Sequence, residues 1–340
     1  MRKFSGLLFF ILPVFPLAAQ KIDKVKFFED DRIIKATLVT NLGKVMNGKM
    51  KDNDSIPASL TFCINDSCAA TEKIVLSPRG HYRRENCYVP PLKVDFKKNS
   101  ASAYSTLGTL KLVNSCRLSN EYDQYILTEY LVYKIYNLLT DKSFRVRLMQ
   151  ITYKDTLGRK KDITSHAFLI EDVKDMAKRN KMVEWKNVKI HTEQTNREQM
   201  TLVSIFEYMI GNTDWSVPAN HNIKLIYDKN KEYDRPWGVP YDFDYCGLVN
   251  AVYAVPPEIF NIENVRQRLY LGYPRNTDEL MAVINIFNDK KSQVYDLINQ
   301  FELLSAAKKK DMINYLEDFY KTINDPDKVQ SVFIKNTLSN

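Results

Sequence analysis

Gly211-Asn212-Thr213-Asp214-Trp215-Ser216-Val217-Pro218-Ala219-Asn220-His221-Asn222-Ile223-Lys224-Leu225-Ile226 leaves a helical pattern, turns through polar residues and enters an apolar strand. Further on comes Val239-Pro240-Tyr241-Asp242-Phe243-Asp244. A carboxylate, then an amide, then one or two carboxylates, all at loop–strand junctions, is what phosphoryl transfer requires. One Asp orients or deprotonates an attacking hydroxyl, while an Asn and a second Asp hold a hard divalent cation on phosphates. Such an ion prefers oxygen ligands, and these are oxygen ligands. The plainer reading makes Asn212, Asp214 and Asn220 turn formers, with Asp242 and Asp244 ending a strand.

Outward from this stretch the chain divides by pattern. Upstream, Ile33–Val39, Ala58–Ile64, Lys73–Ser77, Leu92–Phe96 and Thr109–Val113 are short β-prone runs with polar breaks. Leu92-Lys93-Val94-Asp95-Phe96 alternates strictly, as a half-buried strand does. Ser119-Asn120 then cap a helix to about Leu139 in which, from Tyr125 on, only Thr128, Glu129, Lys134 and Asn137 are polar. Those four scatter around the axis, so the helix is expected to be buried, and Glu129 inside it to need a cationic partner. Lys111 on the preceding strand is the first candidate and Lys93 the second. Strands follow at Arg145–Tyr153 and His166–Ile170. Past Glu171 the pattern is mainly helical: Val173–Arg179, Arg197–Ile210, Asn261–Tyr270, Thr277–Phe301 and Ala306–Ile323, interrupted by two strands between Asn222 and Asp244. The expected division is a β-rich part over residues 20–170 and a helical part over 171–340, with a cleft between them.

Asp214, His221-Asn222 before an apolar strand, and Tyr241-Asp242-Phe243-Asp244 resemble the catalytic half of the CotH-like kinases, the spore-coat kinase family, and more distantly the HipA-type kinases. Upstream, Arg79-Gly80-His81-Tyr82-Arg83-Arg84 resembles that family's Arg-Gly-Asn-Ser loop, with His81-Tyr82 in place of Asn-Ser. Leu110 to Asn114 with the helix around Glu129 resembles the strand and helix bearing the nucleotide-lobe ion pair, and Phe168-Leu169-Ile170-Glu171 resembles the segment joining the lobes. The resemblance implies an α+β, two-lobed protein-kinase-like fold, with a β-rich N-lobe holding one buried helix and a mainly helical C-lobe. It implies ATP and Mg2+ (or Mn2+) as cofactors and a protein hydroxyl as acceptor. Asp214 would be the base, and Asn222 (or Asn220) with Asp242 (or Asp244) would be on the metal. Lys111 (or Lys93), braced by Glu129, would be on the phosphates, with Arg79 and Glu171 as further nucleotide-binding residues. Arg83 and Arg84 suit phosphate as well, since guanidinium matches its geometry. The departures leave room for a pseudokinase-like binding or surface-assembly protein.

The opening residues bear on compartment. Arg2 and Lys3, an apolar run from Leu7 to Pro16 and the small-residue exit Leu17-Ala18-Ala19 have the order of a signal peptide over residues 1–19. The run is too short and Pro-interrupted to span a bilayer, so a soluble periplasmic or extracellular protein without a transmembrane anchor is expected. Losing Arg2 and Lys3 takes the formal net charge from +8 to +6. That is a mild bias, and no Lys/Arg run is dense enough to argue nucleic acid. Of five Cys, Cys63 and Cys68 flank a turn-like Ile-Asn-Asp-Ser and are expected to form a disulfide; Cys87, Cys116 and Cys246 leave an odd one. No CxxC pair or His cluster supports zinc.

Overall fold

The computed structural model describes residues 25–46, 49–64, 67–68, 71–80, 82–96, 102–186, 188–231 and 234–338. The signal-peptide expectation lies outside them.

Eleven strands are described: β1 (Ile34–Thr40), β2 (Ile56–Ile64), β3 (Ser67–Cys68), β4 (Glu72–Pro78), β5 (Leu92–Phe96), β6 (Thr109–Asn114), β7 (Val146–Asp155), β8 (Ile163–Ile170), β9 (Val183–Glu184), β10 (Ile223–Tyr227) and β11 (Trp237–Pro240). In β1, Ile34, Ala36 and Leu38 are buried and alternate with more exposed Lys35, Thr37 and Val39. The same two-residue period runs through β4 and β5. Such strands have one apolar face to hide, and here they hide it by closing. β1 pairs in parallel with β7 and antiparallel with β2, joining the ends of the order β7-β8-β6-β5-β4-β2. Seven strands thus form a closed barrel filled by side chains such as Leu38, Phe62, Leu76, Leu92, Phe96 and Ile151. This corrects the expected two-lobed protein-kinase-like fold, whose β-lobe would be a separate sheet. The closure rests on β1 finding β7 more than a hundred residues away, a pairing that no local pattern encodes.

The helices are α1 (Leu42–Val45), α2 (Tyr82–Asn86), α3 (Asn120–Leu139), α4 (Val173–Arg179), α5 (Arg197–Ile210), α6 (Thr277–Gln300) and α7 (Ala306–Ile323), followed by a short turn at Pro326–Val329. α3 begins at Ser119, whose hydroxyl accepts from the Tyr122 amide. It lies between the outer face of β7 and β8 and helix α6, which is why it is apolar all round. Each fully buried Leu or Ile there contributes about 1.5–3 kcal/mol. Val113, Phe168 and Ile170 point out of the barrel into this second core. The expected helix at Asn261–Tyr270 does not form. Arg266 and Arg268 both stack on Tyr315, at 4.2 and 3.6 Å from its ring centre, and Arg268 also bonds the carbonyls of Met209 and Tyr315. Residues two apart share a face in an extended chain and not in a helix.

Among the described residues no helix is long and apolar enough to cross a membrane. Cys87 and Cys116 form a disulfide and Cys246 is a buried free thiol. β2 and β3 place Cys63 opposite Cys68, and Cys63 is disulfide-bonded; the side chain of Cys68 lies outside the described residues. The Cys87–Cys116 bond joins the end of α2 to the chain leaving β6, beside a 2.8 Å hydrogen bond from the Tyr88 amide to the Cys116 carbonyl. It closes a loop of 29 residues. Replacing both Cys by Ala should therefore cost about 3–4 kcal/mol of unfolding free energy. Urea unfolding under non-reducing conditions checks this; an unchanged midpoint would refute it.

Candidate active site

Two local constraints assemble the acidic residues. β10 and β11 pair with Ile223 opposite Pro240, and the Tyr241 amide donates to the Asn222 carbonyl at 3.0 Å. Asn222 and Asp242 therefore leave the hairpin at the same end. Both adopt left-handed backbone, with φ of 50° and 68°, which Asn and Asp tolerate better than other non-glycine residues. The Asp242 amide donates to the Tyr133 hydroxyl of α3 at 2.8 Å, fixing that turn. The second constraint is close approach after α5. The amides of Gly247 and Leu248 donate to the carbonyls of Gly211 and Ile210. A Cβ at Gly211 would come within 2.0 Å of the Tyr315 hydroxyl, so the two site-bearing loops touch only because glycine stands there.

Asp214 is held on three sides. Its amide donates to Asn212 Oδ1, and Asn212 Nδ2 donates to Glu207, a buried carboxyl that burial pushes up to about 8. Asn222 Nδ2 donates to the Asp214 carbonyl at 2.7 Å and to Oδ2 at 2.9 Å, and His221 Nε2 stands 2.8 Å from Oδ1. Burial raises the Asp214 carboxyl above its ordinary value against the pull of His221. Since both donor directions of the Asn222 amide are used on Asp214, its Oδ1 remains an acceptor.

Asp214, Asn222, Asp242 and Asp244 line one cavity of about 250 Å³ with Arg79 and Arg83. Asp242 accepts no hydrogen bond on its carboxylate among the described residues. Asp244 is committed: it pairs with buried Arg83 at 3.2 Å and lies 3.3 Å from the Tyr253 hydroxyl. Burial, opposed by Arg83 and reinforced by Asp242, pushes Asp244 up to about 6. Asn220, the alternative amide, points away and donates to the Val188 carbonyl. A second cavity, also about 250 Å³, adjoins at Tyr241 and is lined by Lys93, Lys111, Phe144, Glu171, Val173 and Lys224. A larger one of about 530 Å³ lies elsewhere, and its charges already pair with one another, as in Lys134–Asp31 at 2.8 Å.

The expected pairing of Glu129 with a lysine needs correction. Glu129 is buried, 1% exposed, yet no ion pair joins it to Lys111 or Lys93, and neither carboxylate oxygen has a hydrogen-bond partner. α3 turns it toward Asp244, Asp242, Arg83 and Arg79, while the Lys111 ammonium sits 4.0 Å over the Tyr241 ring. Burial, with Arg79 next, brings Lys111 down to about 8. The Glu171 carboxylate is taken by Arg179 at 3.0 Å and by the Arg145 amide. Among the residues at the site that sequence patterns passed over, Tyr133 had no signal. Lys224 had one: it is the single charge in an otherwise apolar strand.

A divalent cation fits the oxygen donors that remain. The Asp242 carboxylate and Asn222 Oδ1 would hold it. Among the described residues no group of three or more His, Cys, Asp or Glu could hold a metal ion; Mg2+ is commonly bound by one or two protein carboxylates with phosphates and water completing its shell.

Glu129 carries a test of its own. Burial, and after it the charges of Asp244 and Asp242, raise its pKa well above the unfolded value of 4.5. Its contribution to stability is therefore full below pH 4.5 and is lost as pH rises toward the folded value. Glu129→Gln removes that loss, so the variant should gain on the wild type by up to about 1.4 kcal/mol per pH unit above 4.5. Urea unfolding of both at pH 5, 6 and 7 measures the gap; parallel profiles would show that Glu129 is charged when folded.

No family model matches the chain and no curated protein matches it. Among solved structures, the Helicobacter pylori proinflammatory kinase CtkA is similar at 10% sequence identity and a TM-score of 0.36, over 83% of this chain and 93% of that one. A distant structural neighbour is thus a kinase, and the CotH-like resemblance has no family model behind it. A superposition that loose carries no argument about fold or activity.

Proposed function

We propose that this chain is an exported atypical kinase that transfers the γ-phosphoryl group of ATP to a protein hydroxyl. The observation that supports it is the meeting of Asp214, Asn222 and Asp242 in one cavity next to the pocket that holds Lys111. In this reading the nucleotide occupies the Lys111 pocket and its phosphates pass Tyr241 toward Asp242. Lys111 and Arg79 face the phosphate charge, and Asp242 with Asn222 would hold Mg2+ or Mn2+, which when bound offsets charge on the phosphates. Asp214 accepts the proton of the acceptor hydroxyl, whose oxygen bonds to the γ-phosphorus as the bond to the β–γ bridging oxygen breaks. The His221 and Asn222 contacts keep its carboxylate turned to the cavity.

A second reading, a non-catalytic nucleotide-binding or surface-assembly protein, is favoured by one specific observation. Glu129 makes no ion pair with Lys111, so nothing braces that lysine against phosphate.

Asp214 and Asp242 should fail differently. Asp242→Ala should abolish the metal-dependent rise in melting temperature with ATP, because it removes the charge that offsets the metal. Asp214→Ala should keep that rise and lower phosphoryl transfer roughly 10²–10⁴-fold. Thermal shift and radiolabelled autophosphorylation of the full chain measure the two. Transfer that is absent in the wild type despite nucleotide binding would select the binding-protein reading.

A further inference from the structure

We infer that Lys224 is a second phosphate-binding lysine, which together with Lys111 and Lys93 makes the pocket beside Tyr241 a site for a polyphosphate chain. This deepens the kinase proposal and rests on it for the nucleotide that would carry the chain. Three ammonium groups from three strands line one cavity. β5 and β6 set Lys93 directly opposite Lys111, and like charges across a strand pair are destabilising. From the second sheet, Lys224 brings its ammonium to 5.5 Å from the centre of the Tyr241 ring that Lys111 covers at 4.0 Å.

Among the described residues none of the three lysines joins an ion pair. Of the acids in the wall of this cavity, Glu171 pairs with Arg179 and Asp172 accepts from the Lys174 amide at the start of α4. The charges are close enough to act on one another: burial lowers Lys111, Arg79 adds to it, Asp242 opposes it, and Lys224 and Lys93 lower it further. A surface lysine avoids such crowding by turning to water. Here the strand register holds two of the three together and the hairpin after Asn222 delivers the third. An anion of several charges would offset all three at once. Lys111 and Lys93 are then partners at one ligand and not rivals for one role.

The test uses the full chain in metal-free buffer with ATP, AMP and inorganic tripolyphosphate as probes, read by isothermal titration calorimetry. Lys224→Gln should weaken ATP and tripolyphosphate roughly ten- to hundredfold, the loss expected for a hydrogen bond to a charged group. Lys224→Arg should restore most of the affinity, and added salt should weaken the wild type more than Lys224→Gln. The unliganded melting temperature of Lys224→Gln should stay equal or rise, which a merely structural lysine would not allow. If the wild type binds ATP and Lys224→Gln binds it equally well, the inference fails while the nucleotide reading stands. If the wild type binds tripolyphosphate through Lys224 but neither nucleotide, the polyanion site stands and the kinase reading falls. AMP bound as tightly as ATP, or no binding of any probe, overturns the inference.

Discussion

Arg83 is largely buried and joins the two halves of the molecule. Its guanidinium donates to the Asn114 carbonyl at the end of β6 and pairs with Asp244 beyond β11, with the Tyr253 ring 6.0 Å away. Burial disfavours its charge, but the neighbouring carboxylates of Asp244 and Asp242 favour it, and its pKa lies above the ordinary value. Losing one member of such a pair strands the other charge in the interior and costs about 3–5 kcal/mol. The disulfide four residues on stands next to the hydrogen bond from the Cys87 amide to the Arg83 carbonyl. The barrel's outer wall, α2 and the Asp242–Asp244 turn are therefore set against each other at one point. The cavity exists because they are.

Around that point each cavity has a majority charge, with Arg79 and Arg83 among the acids of one and Glu171 and Asp172 among the lysines of the other. Asp214, Asp242, Asp244 and Glu129 lie on one side of Tyr241, and Lys93, Lys111 and Lys224 lie on the other. The consequence is visible in both directions. Asp214, Asp244 and Glu129 are raised, and Lys111 is lowered. Each group is made less stable in its charged form, first by burial and then, in part, by like charges nearby. A cation on the acidic side and a polyanion on the basic side would relieve both, and a metal–polyphosphate complex carries the two together. The kinase proposal and the Lys224 inference meet on this electrostatic ground and need no shared fold.

Much of this was legible in the residues, and what was legible was local. Helices α4, α5 and α7 carry their own periodicity and caps, and α3 announced its burial by lacking a polar face. The convergence of Asp214, Asn222 and Asp242 follows from a helix end and a hairpin register, each spanning few residues. What could not be read depends on contacts between distant segments. Barrel closure needs β1 to meet β7, the Glu129 partner depends on which way α3 rotates against the barrel, and Asn261–Tyr270 is drawn out by Tyr315 on a helix still to come. The Arg83–Asp244 pair joins residues 161 apart, and a cluster of three arginines gave no sign of which one would meet Asp244.

That contrast bears on why the site expectations and the fold expectation parted. The residues around Asp214 keep their geometry under short constraints: an Asn side chain on a neighbouring backbone, two left-handed residues at a hairpin end, a glycine under a tyrosine. Such a unit can sit beside an open sheet or a closed barrel without change, because it meets the barrel through residues on its outside, among them Arg83, which pairs with Asp244 and donates to the Asn114 carbonyl. Those contacts come from the outer wall of the barrel, and closing the barrel alters its inside. The closed wall does fix one thing more firmly. With no free edge, β5 and β6 cannot slip in register, since a one-residue shift would turn Val94 and Leu110 out of the core. Lys93 and Lys111 are thereby kept side by side, and the charge they bring to the pocket becomes a property of the fold.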